Sequence, residues 1–164
     1  MPIPSEDAEF ALLTYPGAEL EISTLHEPGR NPEVRLFGNR QGILSLANIL
    51  LWLLARGFER ELLSVTRLPF VRVAGAISLT VRMTDEDGTP EQSGKVRLLD
   101  KGCQFEWALP EDDLQSVALE LHRLACFYEH EYNFFPYADE LLGDARVHAR
   151  LTDVLEYLPP RRET

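Results

Sequence analysis

The 164-residue sequence has only two cysteines, Cys103 and Cys126. Two cysteines cannot build a disulfide framework in a chain of this length. They also lack the paired Cys and His spacing that zinc fingers use. We therefore expect both cysteines to be small, half-buried core residues, and we assign no metal ligand.

Long apolar runs are also missing. The most apolar stretch, Ile43 to Ala55, is 13 residues long and is interrupted by Ser45 and Asn48. A helix that crosses a bilayer needs about 20 apolar residues. The first seven residues are acidic and contain no apolar core, so they do not resemble a secretory signal. We expect a cytoplasmic protein that does not enter a membrane.

Positive charge is scarce. The chain has 16 Lys and Arg, only two of them lysines, against 27 Asp and Glu, which gives a net charge of −11. Residues 1–82 have a net charge of −1, and residues 83–164 have a net charge of −10. Because phosphate backbones repel so acidic a chain, we do not expect direct nucleic-acid binding.

No complete catalytic signature is present. Residues 38–42 lead from a predicted strand into a predicted helix, but they lack the Lys-Ser/Thr of a P-loop and the third glycine of a dinucleotide fingerprint. We interpret them as a tight turn. The acidic residues 85–88 lack the glutamate that an EF-hand has at its twelfth position, which is Val96 here. We assign no catalytic, cofactor-binding or metal-binding residue, although an enzyme with an unrecognised site stays an alternative.

Alternating apolar and polar residues predict several short strands. Two extended runs at the N-terminus are joined by a turn at Pro16-Gly17, and a second turn precedes the next strand. Residues 95–99 and 103–109 are expected to form a hairpin. The predicted extended segments are 10–15, 19–25, 33–37, 62–73 (broken at Pro69), 76–84, 95–99 and 103–109.

Two main helices are predicted, over residues 40–56 and 110–128. Asn39 is placed to cap the first helix, and Gly57 to end it. Shorter helices are expected at 138–142 and 145–158. Runs of strands without βαβ alternation indicate a single α+β domain over residues 1–164, with a largely antiparallel sheet packed against the two main helices and frayed ends at about 1–8 and 159–164.

The first main helix is apolar on nearly all sides between residues 43 and 55. Such a helix is either enclosed in its own core or shared between subunits. Both alternatives stay open, and the second would give a homodimer through the 43–55 helix.

The segment 127–137 contains six of the 15 aromatic residues, interleaved with charged residues. This mixture is typical of protein-binding surfaces, although the phenylalanines could instead fill the core. The acidic residues 85–87, expected at a hairpin tip, are a second candidate contact surface. The candidate partner-binding residues are Asp85, Glu86, Asp87, Tyr128, Glu129, Glu131, Tyr132 and Tyr137.

The stretch from Phe37 to Leu53 contains Gly-Asn-Arg-Gln-Gly-Ile-Leu-Ser-Leu-Ala followed by an apolar helix. It resembles the signature of a family of bacterial polymorphic-toxin immunity proteins, in which a strand leads into Gly-Asn-Arg-x-Gly-Leu-Leu-x-Leu-Ala and a helix. Residues 76–84 match the family's next strand loosely, so the resemblance covers about 50 of the 164 residues. The family's segment rich in His and Asp has no counterpart in residues 61–73. The resemblance implies a small cytoplasmic protein that neutralises a toxin domain by binding it.

The acidic charge agrees with that implication, because nuclease toxins present basic clefts. The sequence therefore predicts a non-enzymatic binding protein of the immunity type, with a basic toxin domain as its partner and no cofactor. The alternative is a homo-oligomeric structural or regulatory domain.

Overall fold

The computed structural model describes residues 6–26, 28–29, 32–56, 62–84, 96–100, 104–126, 131–133 and 146–152. These residues form helices, strands and one short 3-10 turn at Val65–Arg67. In chain order the elements are α1 (Glu6–Leu13), β1 (Leu20–Leu25), β2 (Glu33–Gly38), α2 (Arg40–Arg56), β3 (Leu62–Ser64), β4 (Val71–Val73), β5 (Ser78–Thr84), β6 (Val96–Asp100), β7 (Gln104–Pro110), α3 (Glu111–Cys126), β8 (Glu131–Asn133) and β9 (Arg146–Leu151).

The strands form two sheets. The five-stranded sheet has the order β4-β1-β2-β9-β8, and the four-stranded sheet has the order β3-β5-β7-β6. Among the described strands, four pairings are antiparallel and three are parallel. The predicted α+β class is confirmed, and the strands divide between two mixed sheets.

The strand pattern follows the period of two that the sequence predicts. In β2, Val34 and Leu36 are buried, whereas Arg35 and Phe37 are only partly covered. In β5, Leu79, Val81 and Met83 are buried in the same way. Strand β7 is instead buried continuously from Phe105 to Leu109, as expected for a strand between two neighbours and covered on both faces.

Helices α2 and α3 pack against each other; α2 also contacts β2, and α3 contacts strands of both sheets. One contiguous core includes residues of both helices and both sheets. Eight of the 17 residues of α2 are buried and six more are partly covered, so its predicted burial within the fold is confirmed; a homodimer through it stays a prediction. In the described part of the chain, no helix has the length and apolar character needed to cross a membrane. The buried face of α3 follows the helical period and consists of Leu114, Val117, Ala118, Leu121, Leu124 and Ala125.

Two sequence predictions are wrong. The extended run expected at 10–15 begins inside helix α1, where Ala, Leu and Glu supply high helix propensity. The helix expected at 145–158 begins instead as strand β9, which pairs in parallel with β2. The expected helix at 138–142 and the expected frayed end at 159–164 lie outside the described residues.

The N-terminal segment, residues 9–19, runs antiparallel along α2. Phe10 packs edge-to-face on Trp52 with ring centroids 5.0 Å apart, and Glu9 pairs with Arg56 near the end of the helix. Ser45 and Asn48, the two polar residues that interrupt the apolar stretch of α2, hydrogen-bond to this segment. The Ser45 hydroxyl accepts a hydrogen bond from the Tyr15 N–H at 2.8 Å, and the Asn48 amide donates one to a carbonyl of the N-terminal segment at 3.3 Å.

Candidate functional site

Most of the predicted partner-binding residues lie outside the described residues, namely Asp85, Glu86, Asp87, Tyr128, Glu129 and Tyr137. Glu131 and Tyr132 belong to β8, the terminal strand of the five-stranded sheet as described. In the register with β9, Glu131 is opposite Arg150 and Tyr132 is opposite Ala149. Part of the predicted contact segment is therefore a sheet strand.

The face of the five-stranded sheet that points away from the core carries an aromatic and basic cluster centred on Phe37. The guanidinium groups of Arg35 and Arg150 lie 5.3 and 6.0 Å from the centre of the Phe37 ring. The His148 ring meets it edge-on, with centroids 5.9 Å apart. Neighbouring strands bring these residues together, because β9 pairs in parallel with β2 and places Arg35 opposite His148 and Phe37 opposite Arg150.

Glu33 balances part of this positive charge. One of its carboxylate oxygens accepts a hydrogen bond from Arg35 Nε at 3.1 Å, and the other lies 3.8 Å from His148 Nδ1. The side chains of Glu33 and His148 are only 13% and 11% exposed. Partial burial limits the competition from water, so this group has a more fixed geometry than an ordinary surface ion pair. We call Glu33, Arg35, Phe37, His148 and Arg150 the Phe37 cluster.

A groove of about 450 Å³ opens beside the Phe37 cluster, where β1 and β4 begin and β2 and β9 end. Phe37 and Phe70 supply apolar lining, and the Glu21–Arg72 ion pair spans the strand pair β1–β4 beside them. Aromatic and arginine side chains of this kind are enriched at the energetic centres of protein interfaces. The other lining residues are Glu19, Leu20, Gly38 and Thr152.

The turn at residues 38–42 begins at Gly38 in the lining of this groove, and its residues have structural roles. Asn39 Oδ1 accepts hydrogen bonds from the Gly42 N–H at 2.7 Å and from the Glu19 N–H at 3.0 Å. Asn39 Nδ2 donates to the carbonyl of Gly17 at 2.8 Å. The predicted N-cap and the predicted tight turn are both confirmed, and the same side chain fixes the start of β1.

Gly38 and Gly42 of this turn have to be glycines because the backbone of Glu19 lies too close to leave room for a Cβ atom. A Cβ at Gly42 would lie 2.1 Å from the carbonyl oxygen of Glu19, and a Cβ at Gly38 would lie 2.7 Å from the same atom. Neither distance is sterically possible without moving backbone. The turn 38–42 therefore packs directly on the chain entering β1.

The described residues bring few reactive groups together. They contain no group of three or more His, Cys, Asp or Glu side chains arranged to hold a metal ion. Ser45, although buried, uses its hydroxyl in hydrogen bonds to the backbone at Tyr15 and Gln41. Cys126 is a half-buried free thiol, as expected, whereas Cys103 lies outside the described residues.

Sequence reasoning missed the Phe37 cluster. The alternation of Glu33, Arg35 and Phe37 along β2 was a usable signal for an outward face. His148 and Arg150 had no comparable signal, because their segment was predicted as a helix and its parallel partner is more than 100 residues away in the chain.

Comparisons of this chain with family models, with curated proteins and with solved structures give no match.

Proposed function

We propose that this protein is a non-enzymatic, cytoplasmic binding protein of the immunity type, which neutralises a basic toxin domain by covering it. The observation that carries the proposal is the charge distribution, with a net charge of −10 in residues 83–164 and −11 over the whole chain. An acidic surface attracts a basic cleft before contact, which raises the association rate and favours a partner of opposite charge.

The five-stranded sheet supports this proposal with a surface of suitable composition. The Phe37 cluster and its groove combine aromatic rings, arginines and carboxylates, the mixture that protein partners bind. Strand β8, with the candidate contacts Glu131 and Tyr132, is hydrogen-bonded to β9 in the same sheet. Strand β8 and the groove beside the Phe37 cluster are thus parts of the same five-stranded sheet.

The resemblance of residues 37–53 to the immunity signature supports the same proposal. In this chain the matching residues cap a helix and hold the start of β1, so they would maintain the fold rather than touch a toxin. We therefore assign the contacts with a toxin to the candidate partner-binding residues at 85–87, 128–129, 131–132 and 137.

The test is protection of cells. We expect the gene beside this one to encode a toxin domain. The chain is co-expressed with that domain, and growth is compared for variants that remove acidic charge. We expect Glu129→Gln/Glu131→Gln and Asp85→Asn/Glu86→Gln/Asp87→Asn each to weaken toxin binding about tenfold and to reduce protection, because each lost contact charge is worth up to about 1 kcal/mol.

The matched control removes charge elsewhere. Glu111→Gln/Asp112→Asn also removes two negative charges, at exposed positions in the first turn of α3. It is expected to cost about 1 kcal/mol of stability through the helix dipole and to leave toxin binding unchanged. Equal loss of binding in the control and in the contact variants would contradict the assigned surface. Full toxicity in the presence of the folded wild-type chain would contradict the proposed function.

A further inference from the structure

Helix α3 carries two metal-ligating side chains near its C-terminal end, His122 and Cys126. They are four residues apart and therefore share one side of the helix. The Cys126 Sγ lies 3.4 Å from Nδ1 and 3.8 Å from Nε2 of the His122 ring. His122 is exposed and Cys126 is half-buried, so an ion from solvent can reach both side chains.

The separation of these two atoms suits a tetrahedral zinc ion. Zinc binds a thiolate sulfur at about 2.3 Å and an imidazole nitrogen at about 2.0 Å, which places the two ligand atoms about 3.5 Å apart. In the structure the Cys126 and His122 side chains are in hydrogen-bond contact at 3.4 Å, which is close to that separation.

Within the part of the chain that the structure describes, one copy supplies two of the four ligands that a structural zinc ion takes. No third metal-ligating side chain joins this pair among the residues that the structure describes. A second copy of the chain, related by a twofold axis, would contribute the same two side chains and complete a Cys2His2 set. Leu119, which is 54% exposed, lies one turn before His122 and supplies apolar surface for a partner helix to cover.

We propose that His122 and Cys126 form one half of a zinc site shared by two copies of this chain, in a homodimer joined through α3. Each Cys126 thiol releases its proton to solvent as the sulfur binds the ion. The two thiolates neutralise the charge of Zn²⁺. The net charge of −11 on each copy opposes association, but at about 150 mM salt this repulsion is screened beyond about 8 Å. The inference is independent of the toxin-binding proposal.

The experiment uses the full chain, stripped of metal and kept reduced, with mass measured by light scattering during size-exclusion chromatography at about 150 mM salt. We expect a monomer without metal, a dimer with one Zn²⁺ per two chains, and return to the monomer with a chelator. Co²⁺ in place of Zn²⁺ should give the thiolate charge-transfer and tetrahedral ligand-field absorption bands of a mixed sulfur and nitrogen site.

Substitutions identify the ligands. His122→Ala and Cys126→Ser should each abolish the cobalt bands and weaken zinc affinity by about a hundredfold or more, since losing even a group that only hydrogen-bonds to a ligand costs up to about a hundredfold. The matched controls, His26→Ala and Cys103→Ser, should bind zinc as the wild type does. Absence of zinc binding, a complex of one ion with one monomeric chain, or a metal-dependent dimer that survives both ligand substitutions would each overturn the proposal.

Discussion

Asn39 shows how much of the fold a single side chain can fix. Its amide group accepts two hydrogen bonds and donates one, and these bonds join the first turn of α2 to the chain entering β1. Gly38 and Gly42 flank it because the carbonyl of Glu19 lies where their Cβ atoms would be. The Gly-Asn-x-x-Gly pattern is therefore explained by the close approach of the start of α2 to the chain entering β1.

Replacing Asn39 should separate the contributions of its acceptor and its donor. Asn39→Ala loses the helix cap and both bonds to residues 17–19, and we expect the free energy of unfolding to fall by about 2 kcal/mol. Asn39→Asp keeps the acceptor oxygen and places negative charge at a helix N-terminus, so its loss should be about half as large. Urea denaturation measures both. An aspartate variant less stable than the alanine variant would contradict the assigned cap.

Gly42→Ala tests the close approach. The added methyl group would overlap the backbone of Glu19, and we expect a loss of about 2 to 3 kcal/mol even though alanine favours a helix by about 1 kcal/mol over glycine. The neighbouring exposed position provides the control, since Gln41→Ala should change stability by less than about 0.5 kcal/mol. Equal stability of the two variants would show that Gly42 does not lie against the backbone of Glu19 as described.

At the scale of secondary-structure elements, the predictions succeeded where the local sequence pattern specifies the element and failed where pairing with a distant strand decides it. Helices α2 and α3 and the β6–β7 hairpin are contiguous in the chain, and caps, turns and a single hydrophobic period specify them. Strand β9 is different, because Val147 and Leu151 are four residues apart, a spacing that a helix face and a strand face both accept. Its parallel pairing with β2 decides between the two, and that pairing is not encoded locally.

The arrangement of the candidate site was also not predicted, because it too depends on strand pairing between distant parts of the chain. The Phe37 cluster requires β2 and β9 to be neighbours, and β9 comes more than 100 residues later in the chain. The acidic and aromatic candidate residues were visible from composition, but Glu131 and Tyr132 were not recognised as part of a strand. The sequence therefore offered Glu131 and Tyr132 as candidates but no member of the Phe37 cluster, because that cluster depends on long-range strand pairing.

Two substitutions in β9 test its identity as a strand. Ala149 is fully buried, and Ala149→Asp should cost about 3 kcal/mol or more because it places a carboxylate in the core. Arg150, the next residue, is exposed on the opposite face, and Arg150→Asp should cost less than about 1 kcal/mol. Thermal and urea unfolding provide the measurement. Similar losses for both variants would contradict the alternating faces of β9.

At the scale of the whole molecule, the near-neutral half of the chain provides α2 and the strands around it, and the acidic half provides α3, β8 and β9. Glu111, Asp112 and Asp113 occupy the first turn of α3, where the helix dipole favours negative charge. That part of the acidity is therefore explained by the fold. The remaining excess of negative charge is the basis of the proposed attraction to a basic partner.

The salt dependence of toxin binding tests this account most directly. We expect a basic toxin domain to be encoded beside this gene, and the binding of that domain to the purified chain is measured by surface plasmon resonance between about 50 and about 500 mM salt. We predict that the association rate falls steeply with salt and that Kd weakens at least about tenfold, because charge steers the encounter. An affinity that is unchanged over this range, or no binding at low salt, would contradict the central claim.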